Sequence, residues 1–206
     1  MAPLNIENSI LFFVVLLFSV IIHEVSHGFA ALKNGDDTAY LMGRLTLNPL
    51  PHIDPFGSIF LPLLCFMFHS PFLFGYAKPV PINPLRFKNY DKGMIEVGLS
   101  GCATNFIFGS LCAFLSRFTS GAVSGYLFYA GFLNFFLGFI NLIPIPPLDG
   151  SRVLSVFLPP KWGYFYARME RYGLMIVYLL VFVVGMGFIA NWSKFFVSII
   201  AGAGLH

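Results

Sequence analysis

His23, Glu24 and His27 lie within five positions of an apolar segment and have the residue types and spacing of a metal site. Residues at i and i+4 of an α-helix share one face, about 6 Å apart along the axis, so two imidazoles there can bind one zinc ion. Zinc lowers the pKa of a bound water toward about 7, and a carboxylate between the ligands can take its proton. The motif therefore predicts a hydrolytic zinc site, with Glu24 as the general base.

The same motif also occurs by chance in soluble helices, where it consists only of packed polar residues. Here the setting argues for function, because an ionisable group at the centre of a spanning helix costs roughly 2.5–3.5 kcal/mol on insertion scales. Three such groups in five positions need a compensating purpose, which a bound metal provides.

A catalytic zinc usually has three protein ligands and an open position, so a third ligand must come from elsewhere in the chain. The best candidate is Asp149, which follows three prolines within residues 144–147. Prolines break a helix and allow the carboxylate to turn inward. An Asp-Gly pair after prolines is also an ordinary turn, so the depth of Asp149 in the membrane has to decide between the two interpretations.

The composition indicates that most of the protein surface faces lipid. Hydrophobic residues make up 57% of the 206 residues and charged residues only 10%, whereas soluble domains carry about 25% charged residues. We expect one intramembrane domain over 1–206, in the plasma (bacterial inner) membrane. The net charge of +3 is small and no Lys/Arg run occurs, so no nucleic-acid partner is expected.

The order of apolar and polar segments predicts an all-α, multi-spanning fold with about four spanning helices. A short β element is expected after the first helix, at Thr38–Leu47, which is rich in β-forming residues. The tail at 195–205 is apolar but too short to span. The expected spans are 9–33, 94–116, 124–143 and 172–190.

Residues 56–75 are apolar but contain Pro62 and Pro71, so they either cross the bilayer or dip into it and return. The positive-inside rule favours dipping, since it places ten of the 12 Lys and Arg residues on the cytoplasmic side instead of eight. Dipping also places Asp149 on the same side as the end of the first helix at Lys33, roughly 15 Å from His23. One zinc site and the better charge distribution therefore favour the same topology.

The sequence His-Glu-Val-Ser-His in a first apolar helix, with Asn-Leu-Ile-Pro-Ile-Pro-Pro-Leu-Asp-Gly after a later one, resembles the site-2 protease family of intramembrane zinc metalloproteases. Residues 43–55, 77–84 and 101–105 also resemble its short bacterial members, which lack a PDZ domain. Cys102 departs from the family, which usually has Pro there, but it lies away from the zinc motifs. The resemblance implies one Zn²⁺ per chain and cleavage of transmembrane or juxtamembrane segments of membrane proteins. It assigns His23, His27 and Asp149 as zinc ligands, Glu24 as the base and Asn141 as a residue that binds substrate or stabilises the oxyanion.

Two other functions remain open at this stage. A zinc or other cation transporter also needs His and carboxylates inside the membrane, but it should offer further such residues along a path. Beyond the zinc motifs, the three later spans contain only Glu96, at one end. A non-catalytic scaffold would not need Glu24, which is no zinc ligand.

A transmembrane substrate must unwind before it can be cut, because its carbonyls are otherwise buried in helical hydrogen bonds. Unpaired backbone groups in lipid are costly, and a free strand edge would pair them regardless of sequence. We expect the residues around Leu45 and Leu47 to provide that edge. The alternative is that 38–47 is only a surface hairpin.

Four further polar residues have simpler interpretations. His52 and His69 are interpreted as interfacial or loop residues, although either could be an additional ligand. Asn105 and Asn134 lie inside spans and are expected to make interhelical hydrogen bonds.

Overall fold

The computed structural model describes residues 6–67, 77–179 and 185–202, which contain nine α-helices and no strand. The helices are α1 (Ile6–Lys33), α2 (Thr38–Leu41), α3 (Leu61–Met67), α4 (Tyr90–Leu115), α5 (Gly121–Asn141), α6 (Asp149–Phe157), α7 (Pro160–Glu170), α8 (Gly173–Leu179) and α9 (Gly187–Ala201). Short 3-10 helices lie at Leu50–His52, Pro84–Arg86 and Ser116–Phe118, and a π-helix at Pro55–Phe60 precedes α3. Within the described ranges, α1, α4 (extended to Phe118) and α5 are long and apolar enough to cross a membrane.

Helix α4 lies at the centre of the fold, packed between α1 and α5. Its backbone approaches that of α5 closely, since a Cβ at Gly109 would lie 3.1 Å from the carbonyl oxygen of Gly131, and the reverse distance is also 3.1 Å. Small residues at such crossings let helices associate in lipid, where no hydrophobic force drives them together. The opposite face of α4 carries exposed apolar side chains such as Ile107, which is 72% exposed and suited to face lipid.

Two further contacts fix the helices around α4. Asn134 on α5 donates a hydrogen bond of 2.9 Å from Nδ2 to Ser19 Oγ on α1, which confirms the interhelical role expected for this residue. Helix α9 packs on α5 through aromatic rings, with the Phe135 and Phe196 centroids 5.8 Å apart and nearly parallel. Helices α1, α4, α5 and α9 therefore form one bundle.

Residues 77–89 run past the end of α1 and are tied by backbone hydrogen bonds to residues that follow that helix. Lys78 N donates to His52 O at 2.8 Å, and Lys88 N donates to Asn34 O at 2.9 Å. Gly35 makes the turn after α1 with a φ of +108°, in the region that favours glycine. This covering segment lies above the helix that carries the His-Glu motif.

The strand expected over Thr38–Leu47 is not formed. Thr38–Leu41 is a single helical turn, and residues 42–47 follow as turns and bends. Asp36 Oδ1 accepts hydrogen bonds from both the backbone N and the Oγ1 of Thr38, and this local bonding starts a helix instead of a strand. The β propensity of Thr and Tyr is outweighed because no neighbouring strand is available for pairing.

The fourth span expected at 172–190 is interrupted in the structure. Helix α8 is described to Leu179, residues 180–184 lie outside the described part, and α9 begins only at Gly187. Gly185 has a φ of +73°, a conformation that ends a right-handed helix. The apolar tail expected at 195–205 belongs largely to α9, so 172–190 is not one continuous helix.

Candidate metal centre

Three buried donor atoms converge between α1 and the start of α6. The Nε2 atoms of His23 and His27 are 3.0 Å apart, and Asp149 Oδ2 lies 3.0 Å from the first and 3.2 Å from the second. Among the described residues this is the one group of three or more His, Cys, Asp or Glu side chains with donor atoms close enough to share an ion. The helical spacing of the two histidines thus produces the convergence that the sequence predicts.

His27 is oriented by α4. Its Nδ1 lies 2.7 Å from Val97 O and 3.1 Å from Ser100 Oγ. A carbonyl oxygen only accepts, so the ring proton resides on Nδ1 and the lone pair on Nε2 points at the other two donors. A metal-binding histidine requires this tautomer.

The ring of His23 packs against the backbone of α4, the helix that also orients His27. A Cβ at Gly101 would lie 2.5 Å from His23 Cε1 and 2.7 Å from both ring nitrogens, so only glycine leaves room for this ring. One turn later, the fully buried side chain of Asn105 faces His23. His23 Nδ1 and both polar atoms of Asn105 lack a partner that meets strict hydrogen-bond geometry. A hydrogen bond between Asn105 on α4 and His23 Nδ1 on α1 would be the interhelical bond expected of Asn105, and it would orient this ring.

Asp149 is the first residue of α6 and owes its position to glycines. A Cβ at Gly150 would lie 2.2 Å from Leu142 O, and a Cβ at Gly98 of α4 would lie 3.1 Å from Asp149 O. The chain thus folds back tightly after α5 and packs α6 directly on α4. The glycine after Asp149 is required by this close backbone approach.

Glu24 lies between the two histidines on α1, but its carboxylate is bonded to the covering segment. Glu24 Oε2 accepts a hydrogen bond of 2.8 Å from Val80 N. The side chain is half-buried, which leaves it accessible to a water molecule and unlike a packed core residue.

The remaining predicted residues have varied positions. Asn141 ends α5, and its Nδ2 donates one of its two hydrogens to Leu137 O at 3.0 Å. Leu45 and Leu47 lie in turns and bends, and Leu45 packs on Gly28 of α1. His52 is fully buried with Nε2 2.9 Å from Thr46 O, outside the donor group. His69 lies outside the described residues.

The donor set fits a zinc ion. Tetrahedral coordination with bonds of about 2.0–2.1 Å separates ligand atoms by about 3.3 Å, close to the 3.0–3.2 Å between these three atoms. Asp149 Oδ2 is buried without a hydrogen-bond partner, and a buried carboxylate oxygen needs a proton or a cation. Two imidazoles and one carboxylate match the three protein ligands of a catalytic zinc site, which leaves the fourth coordination position to water or substrate.

Comparisons with known proteins agree with this geometry. The family model described as peptidase family M50 matches residues 116–184, which include Asp149. YwhC of Bacillus subtilis, assigned as a zinc metalloprotease, is 34% identical over 87% of this chain and 83% of its own length. Rip2 of Mycolicibacterium smegmatis, assigned likewise, is 31% identical over 80% of this chain and 64% of its own.

A third relative is the zinc metalloprotease MJ0392 of Methanocaldococcus jannaschii. It is 28% identical over 78% of this chain, which spans only 39% of that longer protein. No solved structure matches the chain.

Proposed function

This chain belongs to peptidase family M50, and from that premise we propose that it is a zinc-dependent membrane protease that cuts peptide bonds within or beside the bilayer. The observation that supports this most strongly is the convergence of His23, His27 and Asp149, with both histidines and Glu24 on a helix apolar enough to cross a membrane. One zinc ion per chain would be held by His23, His27 and Asp149. When bound, zinc polarises the scissile carbonyl and makes a water molecule more acidic.

Glu24 acts as the general base. The hydrogen bond from Val80 N fixes one carboxylate oxygen, Oε2, and the other oxygen accepts the proton of the attacking water. Glu24 then delivers that proton to the amine that leaves. Its position one residue after His23 keeps the carboxylate beside the metal without making it a ligand.

The substrate is a membrane-spanning protein, and its cleaved segment enters in an extended form. Leu47 is 54% exposed, and the backbone around Leu45 and Leu47 offers polar groups that can pair with an unwound substrate. The second amide hydrogen of Asn141 is suited to bind substrate or to stabilise the oxyanion.

The protein resides in the plasma membrane as a multi-pass protein, and residues 56–75, of which 68–75 lie outside the described part of the chain, are proposed to dip into the bilayer and return. The hydrogen bond from Lys78 N to His52 O supports this, because it joins the two ends of residues 53–77 at one place. Segments with joined ends begin and finish on the same side of a bilayer.

The metal site supports proteolysis over cation transport. A transport path needs a series of ligands across the membrane, whereas the described part of the chain contains a single group of possible ligands. Glu24 would also have no task in a transporter.

The experiment that tests this function uses purified protein reconstituted with a panel of single-span membrane proteins. We expect Glu24→Gln to abolish cleavage while keeping one zinc per chain, because Gln retains the volume but cannot accept a proton. Loss of a general base costs about 10²–10⁴-fold in rate. Asp91→Asn, at an exposed position of α4, is the matched control and should cleave normally.

Metal analysis of His23→Ala and Asp149→Ala completes the test. Both variants should lose most of their zinc, because each removes one of three ligands. Undiminished zinc in both, or full proteolysis by Glu24→Gln, would refute the assignment.

A further inference from the structure

Arg44 is a buried cation without an acidic partner. Its side chain is 6% exposed and forms no ion pair with any described residue. Its Nε has no hydrogen-bond partner. Burial of an unpaired charge is costly, so Arg44 must do something that a neutral residue would not.

The guanidinium instead binds the covering segment. Arg44 Nη2 donates to Lys78 O at 2.8 Å and to Pro79 O at 3.2 Å. The same segment is fixed from its other side, where Lys78 N donates to His52 O at 2.8 Å. Two successive carbonyls and the preceding amide are thus all held in place.

The residue that follows these anchors is Val80, the donor to Glu24. Its N–H is the only one that residues 79–81 can offer, because Pro79 and Pro81 have none. That single donor bonds to Glu24 Oε2 at 2.8 Å. The Val80 side chain is 5% exposed and packs on Gly28, one turn after Glu24.

His52 completes the surroundings of Arg44 without neutralising it. Burial lowers the pKa of His52, and the nearby Arg44 adds to that effect. A neutral imidazole with its Nε2 on Thr46 O orders the loop that carries Arg44. Direct contact between Arg44 and substrate fits poorly, since the side chain is buried and its Nη2 is engaged by two carbonyls.

We propose that Arg44 is a positioning residue for the general base. It fixes the carbonyls of Lys78 and Pro79, and the rigid segment holds the Val80 N–H on the Glu24 carboxylate. This inference rests on the proposed protease function, because it assigns a task that only hydrolysis requires. Both bonds come from the one terminal nitrogen Nη2, which the rigid, planar guanidinium holds in place, whereas the lysine ammonium is a strongly hydrated charge on a flexible stem.

The test compares Arg44→Lys with wild type in the reconstituted cleavage assay. Lysine keeps the charge, but its shorter and more flexible side chain cannot hold one nitrogen against both carbonyls as the planar guanidinium does, so Glu24 loses its fixed orientation. We expect kcat to fall about 10–100-fold, as small misplacements of catalytic groups do, while KM and zinc content stay unchanged. Arg117→Lys, at an exposed arginine in the 3-10 helix that follows α4, is the matched control and should keep wild-type kcat.

A second pair of variants tests the route through Val80. Val80→Pro removes the N–H, and Val80→Ala keeps it while shortening the side chain. We expect kcat to fall much further in Val80→Pro than in Val80→Ala, and the difference between the two variants measures the effect of the N–H. Because both changes act through the same hydrogen bond, Arg44→Lys combined with Val80→Pro should cost no more than Val80→Pro alone.

Four outcomes would overturn the proposal. These are wild-type kcat in Arg44→Lys, a rise of KM alone, additive losses in the double variant, and loss of zinc or of folding in Arg44→Lys. The last would assign Arg44 to the scaffold and not to Glu24. Failure of the protease function itself would be recognised separately, as absence of cleavage by wild type or unimpaired cleavage by Glu24→Gln.

Discussion

Gly101 is the residue at which a single added carbon should most directly disturb the metal centre. Its Cβ would lie 2.5–2.7 Å from three atoms of the His23 ring, and real atoms do not approach so closely. The ring would have to rotate away, which removes Nε2 from the donor group. We therefore expect Gly101→Ala to lose most of its zinc, measured by metal analysis of the purified protein.

The control is Gly125→Ala, in a spanning helix where a Cβ meets nothing within 4 Å. It should bind zinc normally. Equal zinc content in both variants would mean that His23 tolerates displacement and that zinc binding does not require glycine at position 101.

At the scale of single residues, the sequence predicts the metal-binding side chains better than the residues that position them. His23, His27 and Asp149 are recognisable because side-chain chemistry and helical spacing are both visible in a sequence. Val97 orients His27 through its backbone carbonyl oxygen, a group that every residue possesses. Gly101 makes room for the His23 ring because it has no side chain. Such roles depend on which helices touch, so they emerge only from the packing of α1 against α4.

At the scale of elements, Asp36 joins the turn after α1 to the covering segment. Its carboxylate accepts from Thr38 N and Oγ1 through Oδ1, and from Asn83 N at 2.6 Å through Oδ2. Burial alone would raise the pKa of Asp36, but these hydrogen bonds outweigh burial and hold the pKa below its ordinary value of 3.8. The folded protein therefore favours the ionised form.

The sign of the pH effect follows from this lowered pKa. The stabilisation is fully present above pH 3.8 and is lost as the pH falls through the lower, folded-state value. We expect Asp36→Asn to reduce the free energy of unfolding near pH 7 by about 1–3 kcal/mol, the usual effect of weakening hydrogen bonds to a buried charge. Thermal unfolding in detergent from neutral to acidic pH is the measurement.

In wild type, stability should decline in the most acidic buffers, and Asp36→Asn should show a smaller decline. The exposed Asp91→Asn serves as control for loss of one negative charge. If wild type and Asp36→Asn unfold with the same pH dependence, Asp36 is not a source of acid lability.

The two elements that the sequence mispredicts share a physical cause. Propensity predicts a strand at Thr38–Leu47, yet Asp36 provides hydrogen bonds that favour a helical turn. Hydropathy predicts a continuous span at 172–190, but it does not register the left-handed Gly185. Both errors arise because single hydrogen bonds or single φ angles decide the local backbone geometry. Propensity and hydropathy are averaged over a segment, and such averages conceal these local features.

At the scale of the whole molecule, the membrane topology gives the sharpest prediction. With residues 56–75 dipping, the loop after them faces the cytoplasm and the loop between α4 and α5 faces the opposite side. Leu85 is 91% exposed and Val123 is 55% exposed, so both suit labelling. In a background without Cys65, Cys102 and Cys112, an impermeant maleimide should label Leu85→Cys from the cytoplasmic side and Val123→Cys from the other.

Labelling of both positions from the same side would contradict this topology, as would labelling of Leu85→Cys from outside. The sequence supports the dipping arrangement only through a count of charges. The structure adds an independent reason, since the His52–Lys78 hydrogen bond closes the segment on itself. Charge counts cannot reveal such closure, because it depends on backbone atoms of two residues that are 26 positions apart in the sequence but adjacent in space.

That closing hydrogen bond has a consequence for how the protein can change through evolution. When the ends of a loop are pinned by their neighbours, doubling its length costs only about 0.6 kcal/mol of additional closure entropy. Residues 53–77 can therefore lengthen, shorten or diverge while the anchors at His52 and Lys78 keep Val80 on Glu24. The segment between these two anchors is a natural place for members of this family to vary, because changes there leave the hydrolytic geometry intact.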